Sequence, residues 1–425
     1  MHEETAGICI FVVRIEKLTT MKTCGLDVHK DMIFCAIYDG KDAVVEKFNT
    51  FTPDLRAMCA YISGHGVDTV AMESTGVYID AIRTVLRQSG MKAVVVNPFL
   101  IKQMPGRKSD TKDAVWIAKL MHKGMLPSSF IPDGLLSELR AYTREYTRLV
   151  QRRSAILTKV DRFMVSGGIR LSSCLSKITT QSYRKVAFAV ADGEGDPETL
   201  AALVRGCTRH KRDGSLVKAL TGCMEEFTRW RMRIALEELE LCEKQIEESK
   251  KMMTELADAN YREQVSLLCT VPGISLVSAI CILAEIGADM TQFGSSGRLA
   301  GWAGLRPRND ESAGKYKSTA VTKGGSHLKP MLVQCAWGAV HTGESAFQAF
   351  FRRLSSRKSA KKAIIAVARK LLTAVYAILL HHEEYSPKKT SSVSPEQLHR
   401  MVQYHARQYQ RLTAQLPPQT QTVTA

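Results

Sequence analysis

"TCGLDVHKDMIFCAIYDGKDAVVEKFNT", residues 23–50, decides the fold. Its apolar and β-branched residues come in short runs separated by polar pairs, the pattern of strands rather than helices. "TCGLDVH" and "MIFCAIYDG" read as two strands of a hairpin or meander, and "VVEKFNT" as a third. Downstream, "PDLRAMCAYISGHG" reads as a helix closed by glycine and "DTVAMES" as a short buried strand. "YIDAIRTVLRQSG" is a second helix, "KAVVVNP" another strand, and a helix over 110–123 follows. Three strands, then helix, strand, helix, strand, helix, is an α/β layout with a mixed sheet.

Four carboxylates stand at telling places in that layout. Asp27 lies in the middle of the first strand, between residues expected to be buried. An ionised group there is costly unless it is paired or bound to metal. Glu73 ends the strand "TVAMES", and ligands of open α/β sheets sit at the carboxyl ends of strands. Asp110 and Asp113 fall one helical turn apart in "KSDTKDA", residues 108–114. Each has an ordinary reading: edge-strand polar residue, turn former, N-cap and N3 acid. The other reading is a cation site, with oxygen ligands converging while the neighbouring Lys and Arg residues hold a phosphate backbone.

Beyond 133 the texture changes. Leu135, Leu139, Tyr142, Tyr146, Leu149, Arg153, Ile156, Val160 and Phe163 recur at alternating spacings of four and three, a coiled-coil seam. Arginines 140, 144, 148 and 152 make a second stripe, either a solvated face or a nucleic-acid rail. A second long helix is expected over 216–257, with Phe227, Trp230, Ile234, Leu239, Cys242, Ile246, Met253 and Leu256 on its apolar side. The Gly/Ser/Thr-rich stretch 166–215 between the two reads as a small helical insertion. "LLCTVPGISLVSAICILAEIG" is helix, tight turn, helix, either an ordinary hairpin or a helix-hairpin-helix element whose second helix offers free N–H groups to a phosphate. Ser275 stands where that motif usually has glycine. A Gly-rich basic region follows, then a final helix over about 360–382, and a polar Gln-rich tail.

The formal net charge is +17, with a pI near 9.4, which points to a polyanionic partner, most simply nucleic acid. Residues 290–390 carry 17 Lys+Arg against 5 Asp+Glu, so the strongest contact is expected in the C-terminal third. The eleven cysteines fall singly, with neither zinc-ligand spacing nor a disulfide framework, as in a reducing cytoplasm. No apolar run approaches the roughly 20 residues of a membrane span, and "ICIFVV" is too short for a signal peptide. No lipidation signal is present, so no membrane partner is expected.

"GLDVHK", "MESTGVY" and "RKSDTKDA" resemble the three motifs of the RuvC-like DEDD transposases of bacterial insertion sequences, relatives of the Piv invertases. "VPGIS", "LAGWAGLRPRNDESAGK" and "KGGSHLKPML" resemble the second, C-terminal transposase domain of that family. The resemblance runs over about 22–385 and implies a ribonuclease-H-like (RuvC-like) domain over 22–133. It implies a central helical coiled coil over 134–260 and a mainly α C-terminal domain over 261–385 with the helix-hairpin-helix-like element. Residues 1–21 are left as an N-terminal extension and 386–425 as the tail.

The resemblance further implies that Asp27, Glu73, Asp110 and Asp113 hold Mg²⁺, or another divalent cation such as Mn²⁺. Ser312, in "NDESAGK", matches the family's nucleophilic serine, although on local sequence it reads as a turn residue. Arg306 and Arg308 precede it, and Lys315, Lys317 and Lys323 follow, placed to hold phosphate on either side. The implied activity is cutting and rejoining of DNA at element ends and targets through a phosphoserine link, with hydrolytic junction resolution as the alternative. A structured non-coding guide RNA, a dimer or tetramer held partly by the coiled coil, and a place on the bacterial nucleoid are also implied.

Overall fold

A computed structural model describes residues 22–73, 78–96, 110–126, 134–205, 214–307, 324–343 and 345–387, with short pieces between and beyond them. The expected mixed sheet is present. Strands β1 (Thr23–Val28), β2 (Met32–Tyr38), β3 (Ala43–Asn49), β4 (Thr69–Glu73) and β5 (Lys92–Val96) take the order 3-2-1-4-5. β1–β2 and β2–β3 are antiparallel, whereas β1–β4 and β4–β5 are parallel. This order is consistent with a RuvC-like domain.

β1 is the central strand, and all six of its residues are buried, Thr23 and Asp27 included. Its two faces differ. Cys24, Leu26 and Val28 join a core with α1 (Thr52–Gly64) and α2 (Tyr78–Gln88). Thr23, Gly25 and Asp27 face the other way, toward α3 (Asp110–His122). A Cβ at Gly25 would stand 2.3 Å from the Ala114 carbonyl oxygen and 2.5 Å from the Ala118 nitrogen. Only glycine lets the helix backbone approach so closely. The Thr23 hydroxyl then donates to the Ala118 carbonyl at 3.0 Å and fixes how α3 crosses the strand.

The coiled-coil seam is buried within the chain. α4 (Gly134–Ser166) runs antiparallel to α9 (Glu226–Cys269): the Ser249 hydroxyl donates to the Tyr142 carbonyl and the Cys242 thiol to the Leu149 carbonyl. Leu139, Leu149, Ile156, Val160 and Phe163 are buried, while Leu135 remains 47% exposed. Each such aliphatic side chain contributes about 1.5–3 kcal/mol. The second helix differs from its expected bounds. Ser215–Leu220 is a separate short helix, α8, and α9 runs on to Cys269 with a kink at Tyr261. Phe227, Trp230 and Ile234, placed on the apolar side from sequence, are exposed; Met232, Ala235 and Leu236 are buried instead, whereas Leu239 is buried as expected. The stretch carries two apolar stripes and one helix buries only one of them. The insertion at the tip folds as α5 (Leu171–Cys174), α6 (Gln181–Asp192) and α7 (Pro197–Ala202) with α8, around the fully buried Tyr183.

The remaining helices are α10 (Leu276–Ile286), α11 (Ser296–Trp302), α12 (Leu328–His341), α13 (Ala346–Ser355) and α14 (Ala360–His381), with strands β6 (Asp310–Ser312) and β7 (Lys315–Ser318) between α11 and α12. Their core takes in Leu139 of α4, so the first turns of the long hairpin belong to this domain and its outer turns to the insertion. α14 corrects the membrane reading in part. It contains an 18-residue window of mean hydropathy 2.0, long and apolar enough by composition to cross a membrane, but half of that window is buried in the core.

Candidate active site

The site grows from the carboxyl ends of two parallel strands. Gly25 pairs with Ala71 and Leu26 with Met72, so Asp27 and Glu73 follow side by side at the ends of β1 and β4. Asp27 is 8% exposed and Glu73 half-buried. Adjacent strands lie about 4.8 Å apart, which keeps the two acids neighbours. Across them lies the start of α3, pressed onto Gly25 through Ala114. Asp113, immediately before that alanine, is half-buried. α3 starts at Asp110, so both aspartates fall in its first turn, where the helix dipole favours negative charge. The side chain of Asp110 lies outside the described residues.

Sequence reading missed His29. Its Nε2 lies 3.1 Å from Asp27 Oδ2, and its ring packs edge-on against Phe34. The signal was available: residues two apart in a strand share a face, and "DVH" sets the imidazole on the side of the aspartate. The bond orients that carboxylate oxygen at the end of β1.

Asp27, Glu73 and Asp113 thus share one end of the sheet, although among the described residues no three His, Cys, Asp or Glu side chains close into a ligating cluster. The donor set is all carboxylate oxygen, which fits a hard divalent cation such as Mg²⁺ or Mn²⁺ and disfavours zinc.

Ser312 lies elsewhere in the fold. It ends β6 and pairs with Lys315 across a two-residue turn, and this hairpin joins no strand of the five-stranded sheet. The turn residues and the side chains of Ser312, Lys315 and Lys317 lie outside the described residues, as do Arg308 and Lys323 altogether. Arg306 is exposed. The return from the hairpin is held by the glycine pair of "KGGSH". A Cβ at Gly324 would meet the Trp302 carbonyl at 2.7 Å, and one at Gly325 (φ +68°) the Ala303 carbonyl at 2.4 Å.

The turn of "VPGIS" is packed against its own domain. A Cβ at Gly273 would stand 2.3 Å from the Ala339 nitrogen on α12. Ser275, in place of the motif's glycine, caps α10: its hydroxyl accepts from the Ser278 N–H at 3.3 Å, taking up a donor a phosphate would use.

The arginine stripe on α4 is mostly a solvated face, with Arg144, Arg148 and Arg152 exposed, but its first member, Arg140, is largely buried. Arg144 binds buried Glu285 of α10 with two hydrogen bonds, Nε to Oε1 at 2.8 Å and Nη2 to Oε2 at 3.1 Å. Arg140 lies 3.6 Å from the same carboxylate and donates to the carbonyls of Ala284 and Glu285. Arg148 pairs with Glu145, and Arg152 with Glu238 on α9. Burial, with Arg144 and Arg83 pushing the same way, holds Arg140 down to about 10 against the pull of Glu285. His327, before α12, is held below its usual range by burial and by Arg144 and Arg140, opposed by Glu285.

Comparison with known proteins fits this architecture. A family model of DEDD transposases matches residues 24–166, and a second, described as the transposase IS116/IS110/IS902 family, matches 265–352. The first covers the sheet domain and α4; the second runs from the end of α9 to α13. A pilin gene-inverting protein of Moraxella lacunata is 31% identical over 44% of this chain and 59% of its own length, and its Moraxella bovis counterpart is matched over the same 59%. The chain therefore spans about three-fifths of those two relatives. The transposase for insertion sequence element IS1111A of Coxiella burnetii is 22% identical over 89% of this chain and 95% of its own length. With both domains matched in order, the chain belongs to the IS110 family of transposases.

Proposed function

We propose that this protein is a DNA recombinase that moves an insertion sequence by cutting and rejoining strands. The observation that carries the reading is Asp27: a buried carboxylate at the end of the central strand, beside Glu73, with the first turn of α3 held over it at Gly25. Its matched relatives are named as transposases and a gene-inverting protein, both of which act by rearranging DNA.

In this reading Asp27, Glu73, Asp110 and Asp113 hold a divalent cation, which supplies positive charge against the charge that develops on the scissile phosphate. His29 keeps the Asp27 carboxylate turned toward its neighbours. Ser312 is the nucleophile: its Oγ bonds to phosphorus, its proton passes to a base or to solvent, and the strand's 3′-oxygen leaves. Because one phosphodiester replaces another, the reverse step rejoins a new strand end without an external energy source. Arg306, Arg308, Lys315, Lys317 and Lys323 steady the phosphates on either side of the serine. A structured non-coding RNA as guide and a dimer or tetramer as working unit complete the proposal, since the sheet and the serine hairpin stand on separate elements and act together on one phosphate.

The test is a denaturing gel of protein with Mg²⁺, element-end DNA and RNA transcribed from the element's flanks. Wild type is expected to give a protease-sensitive shifted DNA band that Ser312→Ala lacks. Free cleavage products of equal yield in both proteins would overturn the serine assignment and leave a hydrolytic nuclease.

A further inference from the structure

The corner between α13 and α14 carries a dense run of positive charge. From Ser345 to His382 there are eight Lys or Arg residues and no Asp or Glu. Six of them, Arg352, Arg353, Arg357, Lys358, Lys361 and Lys362, fall within eleven residues, and all six are exposed. Among the described residues none of these six has a carboxylate partner. On the middle of α9, by contrast, Lys244 pairs with Glu248, Lys250 with Glu247, Lys251 with Glu255 and Arg262 with Asp258. So much unmatched like charge on so short a segment repels itself, and a polyanion offsets that repulsion.

The corner is also built stiffly. Phe347 of α13 is fully buried, and Phe351 packs edge-on against Trp337 of α12 at 5.5 Å. Arg353 lies 5.4 Å from the centre of the Phe350 ring and Lys370 of α14 4.9 Å from it, so two cations share one aromatic ring and brace the two helices. The hydroxyls of Ser355 and Ser356 bond back to the carbonyls of Arg352 and Arg353 and close the end of α13. The cations therefore project from a fixed turn, with little ordering left to pay on binding.

The geometry points to this corner as a docking ridge for the phosphate backbone of duplex DNA, separate from the strand-exchange site; it rests on the reading of the chain as a DNA recombinase. The second family match ends at residue 352, where the ridge begins, so the contact lies outside the matched domain. An anionic membrane is the competing polyanion, because α14 is long and apolar. Its apolar side is already used: Val367, Ala368, Leu371, Leu372 and Val375 are buried in the core. A surface helix that enters lipid needs that face free.

The experiment is salt-dependent binding of the full chain to a fluorescent duplex of arbitrary sequence, read by anisotropy without divalent cation, so that a failure of catalysis leaves the result untouched. The variant replaces Arg357, Lys358, Lys361 and Lys362 together by Gln. Each lost phosphate contact removes about 0.9 from the slope of log K against log salt, so the slope is expected to flatten by about 3.6 and affinity at moderate salt to fall more than about tenfold. Should that variant melt early, Lys358→Gln and Lys361→Gln singly are each expected to lose about 0.9. An unchanged slope overturns the ridge. So does a variant that keeps DNA binding while losing binding to phosphatidylserine-containing vesicles, which would assign the corner to lipid.

Discussion

Asp27 and Glu285 are almost equally buried, at 8% and 6% exposure, and they are held in opposite ways. Glu285 is gripped by two guanidiniums from α4, so its charge is matched inside the protein. It ties the long hairpin to the C-terminal domain. Asp27 is placed among acids: Glu73 on the next strand and the first turn of α3 across from it, with the imidazole of His29 against one oxygen. A buried carboxylate surrounded by arginines is structural. In the proposed reading, one that shares a strand end with other carboxylates is where a divalent cation would be held.

Substitutions separate the two roles. Asp27→Asn is expected to lower strand cleavage by about 10³ or more, roughly 4 kcal/mol of transition-state stabilisation, while the thermal midpoint moves by only a few degrees. Glu285→Ala is expected to do the reverse. It strands the buried Arg140 and costs about 3–5 kcal/mol of stability, read by denaturant unfolding. Gly25→Ala pushes α3 off β1 and is expected to cost about 1–3 kcal/mol, with cleavage falling as the first turn of α3 leaves Asp27. If Gly25→Ala left both stability and cleavage intact, the close approach of α3 would have no part in the site.

The smallest effect is with pH. His327 has a folded-state pKa below its unfolded value of 6.5, because burial and two arginines oppose its charge. The unfolded chain then binds the proton more readily, so stability is lost as pH falls below about 6.5. His327→Gln is expected to flatten that decline in thermal melts, by an amount limited by the residue's exposure.

How much of this was legible in the sequence differs by region. The sheet was readable because short apolar runs and glycine-closed helices alternate without interruption from Thr23 to Val96. The arginine stripe was not readable, because the partners that give it meaning, Glu238 and Glu285, lie 86 and 141 residues from Arg152 and Arg144. Periodicity showed the apolar seam of α4 but not that the same chain covers it. It misassigned Phe227, Trp230 and Ile234, since spacing alone does not say which of two apolar stripes a helix buries. The carboxylates were found as positions, Asp27 by burial and Glu73 by its strand end, whereas Ser312 stood out only through family resemblance.

We propose that the Asp27 end of the sheet binds a divalent cation. Electron paramagnetic resonance of Mn²⁺ titrated into the full chain tests it most directly, with wild type and Asp27→Asn compared. Saturable Mn²⁺ binding is expected in wild type and should weaken by at least about tenfold in the variant. Equal binding in the two proteins would contradict it.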